Sequence, residues 1–107
     1  MQTYIYELHD PKTGMKYIGS RVKAWLQSAA DDVDYKGTVT SREYKDQWSV
    51  ISARCIKSIL KVWNYNDINE YQIAHRLAKK AELDLLKQVD AHESELYYNT
   101  KPGKKSG

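Results

Sequence analysis

Residues 3–8, Thr-Tyr-Ile-Tyr-Glu-Leu, are β-branched and aromatic and place Tyr4, Tyr6 and Leu8 on one face by the two-residue period of a strand. Residues 9–14 supply a turn in which Pro11 fixes φ and Gly14 tolerates positive φ. Residues 15–20, Met-Lys-Tyr-Ile-Gly-Ser, read as the returning strand, so 3–20 forms a β-hairpin. With Leu8 opposite Met15, Tyr6 falls opposite Tyr17. A slip of one residue sends the two tyrosines to opposite faces.

The signal weakens from Val22 to Thr40. Residues 22–29 read as a helical turn and 31–38 as a loop broken at Gly37. Ser41 can cap a short helix running through residue 53. In residues 55–63, Ile56, Leu60 and Val62 share one face and Lys57 and Lys61 the other, which predicts a third strand with one solvated or ligand-facing side. Asp67 and Glu70 make a capping box that opens a long helix to about Asp90. Its apolar stripe is Ala74, Leu77, Ala78, Ala81 and Leu85, with Glu82 beside it and able to point into a cleft. The order predicts an α+β domain with a small three-stranded antiparallel sheet flanked by helices. It spans residues 1–100, and 101–107 form a frayed basic tail.

A length of 107 residues suits one domain and excludes an enzyme with a separate cofactor domain. No apolar run reaches the roughly 18–20 residues of a membrane span, and the start of the chain has no secretory pattern. Cys55 stands alone, so neither an internal disulfide nor a four-cysteine zinc site is expected, and a reduced, cytoplasmic setting is the default. Nine Tyr and three Trp without any Phe favour half-buried or cleft-lining aromatics over a dry core. The net charge of +3 permits an anionic partner, and Lys101, Lys104 and Lys105 concentrate charge in the tail. His9, His75 and His92 lack metal-ligand spacing.

Tyr4-Ile5-Tyr6, followed after ten residues by Tyr17-Ile18-Gly19-Ser20, resembles the paired motifs of the GIY-YIG endonuclease family, with Tyr4 where the family usually has Gly. The turn from Asp10 to Ser20 is similar to the family's hairpin, and Asp34-Tyr35-Lys36-Gly37-Thr38 resembles a stretch of its small phage-type, single-domain members. Glu82 and Asn99 match the family's late Glu and Asn in order and approximate spacing. The resemblance implies a GIY-YIG-like fold and metal-dependent hydrolysis of DNA phosphodiester bonds, in a bacterial or phage-infected cell. It implies that Tyr6 and Tyr17 face the scissile phosphate, Tyr6 being the better placed to activate or orient water. Glu82 then holds one Mg²⁺ or Mn²⁺ ion, while Tyr4, Gly19 and Asn99 support the site. The family's arginine usually lies further beyond the second motif. Here Arg21 follows Gly19 by two residues and is the preferred catalytic arginine, with Arg42 and Lys36 as further candidates for phosphate contact.

The chemistry agrees with these residue types. Hydrolysis needs a base for water, a positive centre for the charge developing on phosphate, and help for the leaving oxygen. A divalent ion supplies two of these, and Mg²⁺ accepts few protein ligands because it keeps several waters. A tyrosine titrating near ~10 needs a metal or cation beside it to act as a base. Each residue also has a plainer role: hairpin tyrosines pack, Glu82 pairs with Lys79 along a helix, Lys36 is a surface lysine, and Asn99 holds a turn. A second reading is therefore a binding module of the same fold that holds nucleic acid or protein without cutting. These 107 residues show no separate DNA-reading module, so specificity is expected to come from the core, the tail, a homo-oligomer or a partner protein.

Overall fold

The computed structural model describes residues 1–39, 42–91 and 93–99, with Arg42 by its backbone alone. Ser41, the side chain of Arg42, His92 and the basic tail lie outside the described residues. The elements are β1 (Gln2–His9), β2 (Lys16–Arg21), α1 (Arg42–Lys45), α2 (Trp48–Arg54), β3 (Ile56–Asn64) and α3 (Ile68–Gln88). The fold is α+β: three antiparallel strands in the order β2-β1-β3, with helices packed against them. Among the described residues no helix is long and apolar enough to cross a membrane.

The hairpin is tighter than the sequence pattern suggests. Asp10 N–H donates to the Met15 carbonyl at 2.8 Å, leaving residues 11–14 as the loop. Its carboxylate accepts the Lys12 N–H at 2.9 Å, and Gly14, at φ +77°, donates its N–H to the Asp10 carbonyl. The ladder therefore pairs Leu8 with Tyr17 and Tyr6 with Gly19, two residues away from the predicted register. A shift of two preserves the facing, so Tyr6 and Tyr17 still share a side of the sheet.

That side carries Tyr4, Tyr6, Leu8 and Tyr17, packed with Trp48, Ile51, Cys55 and Tyr98 from the segments that cover it. Ile18 faces the opposite side, where it packs with Leu86 and Ala91. β3 shifts register where β1 passes from Ile5 to Tyr6, with Leu60 left over between Ile59 and Lys61. This bulge breaks the alternation read from the sequence. Lys57 lies beside Tyr4 on the aromatic side together with Val62, and Ile56 and Leu60 are exposed.

Asp67 caps α3 by accepting the Glu70 N–H at 2.9 Å. The buried positions of the helix are Ala74, Ala78 and Leu86, at four-residue spacings that place Glu82 in the same row. Leu77, expected inside, is exposed, because the two alanines form the row that meets the sheet. Residues 22–29 form turns rather than helix, and the helical stretch after residue 41 divides into α1 and α2. The edge of β2 is closed by the chain's later segment, where Lys16 N–H donates to the Leu96 carbonyl and Tyr98 N–H to the Lys16 carbonyl.

Candidate active site

Tyr6 and Gly19 face one another across the ladder, and the phenol lies over the glycine. A Cβ at Gly19 would stand 2.6 Å from the Tyr6 hydroxyl oxygen and 3.0 Å from Cε2 of Tyr17. Gly37, in the left-handed region at φ +69°, approaches the same hydroxyl, and a Cβ there would collide with it. Tyr6 is consequently sealed from solvent, whereas Tyr17 keeps 9% of its surface exposed. The two rings tilt against each other with centroids 6.2 Å apart, and Tyr17 packs on Trp48 at 5.0 Å. The Tyr17 hydroxyl donates to the Thr38 carbonyl at 2.9 Å, and Trp48 Nε1 donates to the Gly37 carbonyl at 2.9 Å.

Burial pushes the Tyr6 phenol far above its ordinary value, with Tyr17, Tyr35, Tyr4 and Glu82 adding to the effect. Burial also raises Tyr17, as do Glu82 and Tyr35, against an opposing hydrogen bond with Tyr6, and the phenol titrates at about 12. Both groups are thus protonated at neutral pH and serve as hydrogen-bond donors.

Glu82 projects from the buried row of α3 toward β2. Ser20 Oγ donates to its Oε1 at 2.6 Å, and the Lys79 ammonium lies 3.6 Å from the same oxygen. Ser20 points to the α3 side while Gly19 and Tyr17 point to the aromatic side. β2 is the outer strand, and the Glu82 charge still bears on both phenols across it.

Arg21 pairs with Tyr4 across the ladder. Its Nε donates to Asp32 Oδ2 at 3.1 Å, and its guanidinium stacks 3.8 Å above the Tyr35 ring. The Tyr4 hydroxyl donates to the same Asp32 oxygen at 2.6 Å. The Lys57 ammonium donates to the Tyr4 hydroxyl at 2.6 Å, to the Asp32 carbonyl at 2.6 Å and to the Tyr35 carbonyl at 2.7 Å. Burial lowers the Lys57 pKa, partly offset by Asp32. The Lys36 ammonium is engaged elsewhere, donating to the carbonyls of Ser52 at 2.7 Å and Cys55 at 3.0 Å, where it ties its loop to the end of α2. The sequence places Lys57 on a solvated or ligand-facing strand side and Tyr35 in the Asp34–Thr38 stretch, gives neither a role, and leaves Asp32 unmarked. Asp32 sits in a polar loop with no periodicity, and the β3 bulge hides the facing of Lys57.

Two further arrangements hold the frame. Asp10 is fully buried at the hairpin turn and accepts from Arg54 Nε at 2.9 Å, Arg54 Nη2 at 2.7 Å and the Tyr98 hydroxyl at 2.5 Å. The Asn99 amide accepts the Ile18 N–H at 2.9 Å and donates to the Ile18 carbonyl at 2.7 Å, so it acts as a side-chain extension of the sheet.

Among the described residues no three His, Cys, Asp or Glu side chains converge on one point. Glu82 offers a single carboxylate that is 18% exposed. That donor set fits a Mg²⁺ or Mn²⁺ ion that retains most of its water and does not fit a zinc-type cage. Compared with protein-family models, with curated proteins and with solved structures, the chain matches none.

Proposed function

We propose that this domain is a metal-dependent endonuclease of the GIY-YIG type that hydrolyses DNA phosphodiester bonds. The observation that carries the reading is the packing of Tyr6 and Tyr17 on one hairpin, with the Glu82 carboxylate of α3 anchored to the same strand, β2, through Ser20. Glu82 would hold one Mg²⁺ or Mn²⁺ ion, which would neutralise phosphate charge and lower the pKa of water. Tyr17, the more accessible phenol, donates a hydrogen bond to the phosphate or the attacking water once its hydroxyl turns from the Thr38 carbonyl that it meets at 2.9 Å. Tyr6 stands behind it and fixes its ring, a supporting part rather than the water-activating one its sequence position suggests. Arg21 supplies a planar cation for the charge that grows on phosphate. Asn99 keeps the middle of β2 in place through Ile18. Arg42 and the tail lysines remain proposed phosphate contacts, and a cytoplasmic setting suits the free, buried Cys55.

The test is nicking of supercoiled plasmid in Mg²⁺ or Mn²⁺ by the parent and by Tyr17→Phe and Arg21→Lys. Cutting by the parent that both variants lose, with folding retained, supports the reading. Binding of DNA without cutting in any divalent metal supports the non-catalytic module instead.

A further inference from the structure

We propose that Tyr4 and Arg21, with Lys57 supporting Tyr4, form a cradle for a DNA phosphate in which the Asp32 carboxylate is the internal occupant. The proposal rests on the DNA-acting reading above and adds a self-occupied anion site to it.

Two donors from different positions converge on one anionic oxygen. Asp32 Oδ2 accepts from the Tyr4 hydroxyl at 2.6 Å and from Arg21 Nε at 3.1 Å. Tyr35 holds the guanidinium plane by stacking, and Lys57 holds Tyr4 from behind by donating to its hydroxyl. A phosphate oxygen presents the same charge and acceptor character as this carboxylate oxygen. The carboxylate can leave without moving the chain that carries it. The Asp32 carbonyl is fixed by Lys57 at 2.6 Å, and the Asp32 N–H by the Ala29 carbonyl at 3.2 Å. A cavity of about 240 Å³ adjoins the cluster, lined by Asp32, Lys36, Lys57, Val33 and Ile59 among others. It reaches Asp32 between Lys36 and Lys57, and rotation of the Asp32 side chain is what would open it to Tyr4 and Arg21, which do not line it. Exchange then needs a side-chain rotation at Asp32, and the resident carboxylate competes with DNA for Arg21.

The experiment measures binding of a short duplex oligonucleotide in EDTA, so that it does not depend on cutting. Asp32→Asn keeps the size of the side chain and an acceptor for Tyr4 while removing the competing charge. It is expected to bind roughly three- to tenfold more tightly than the parent, with a steeper dependence on salt. Adding Arg21→Gln to that variant should return affinity to the parental level or below. Asp32→Asn that is folded by circular dichroism and binds no more tightly overturns the proposal. A second measurement uses the parent alone: titration with inorganic phosphate should shift the Arg21 Nε–H resonance to a plateau, and no shift overturns the proposal even where the variant fails to fold. Failure of the parent to cut DNA, with tightening and shift both present, removes the nuclease reading and leaves the cradle standing.

Discussion

The phenol of Tyr6 lies over Gly19, its partner across the β1–β2 ladder, and leaves no room for a side chain there. The glycine of the second motif is thereby explained by its neighbour rather than by its own backbone. Gly19→Ala should destabilise the domain by about 1–3 kcal/mol, the cost of overpacking a filled site. Gly37→Ala should cost more, because it adds a left-handed φ to the same collision. Urea denaturation of both variants checks the order. In Gly19→Ala/Tyr6→Leu, which shortens the colliding side chain, the alanine should cost clearly less than it does against Tyr6.

Asp10 sets the acid limb of stability. Its hydrogen bonds with Arg54 hold the buried carboxyl well below the usual carboxylate range, against burial, which acts the other way. A depressed folded pKa gives stability that is fully present above the unfolded value near ~4 and is lost as pH falls through the folded value. Denaturant midpoints measured below pH 4 should therefore drop in the parent. Asp10→Asn should be less stable at neutral pH and show a weaker drop.

The alkaline limb belongs to the buried phenols. Tyr17 titrates at about 12, and Tyr4 and Tyr6 are raised further, all three chiefly by burial. A raised phenol pKa gives stability that is present below the unfolded value near ~10 and is lost as pH rises. Absorbance of ionised tyrosine should show a late group near pH 12, lost in Tyr17→Phe, or an unfolding step that carries it.

Much of the architecture was legible in the chain because local rules agreed with the tertiary outcome. The hairpin tyrosines, the Asp67–Glu70 cap and the long helix each follow from spacing and cap chemistry. What escaped the pattern depended on one backbone detail at a time. The Asp10 turn moved the register by two, and the bulge at Leu60 brought Lys57 to the aromatic side. A rotation of the helix face put Glu82 in the buried row between Ala78 and Leu86. Asp32 shows nothing in sequence but a polar loop, since its partners Tyr4 and Arg21 are distant along the chain.

Asn99 replaces a neighbouring strand at the middle of β2. Asn99→Ala removes both hydrogen bonds to Ile18 and should cost about 1–3 kcal/mol through the partly buried groups it strands. Amide exchange at Ile18 should accelerate more than exchange at Glu7, which pairs with it across the ladder.

The most direct test of the account is the Glu82→Gln variant on supercoiled plasmid with Mg²⁺. The change keeps the size of the side chain and an acceptor for Ser20 while removing the charge that would hold the ion. The account predicts that plasmid affinity is retained or improved and that the nicking rate falls at least about a hundredfold, since even residues behind a metal ligand are worth 10–100-fold. Nicking by Glu82→Gln at the parental rate would contradict it.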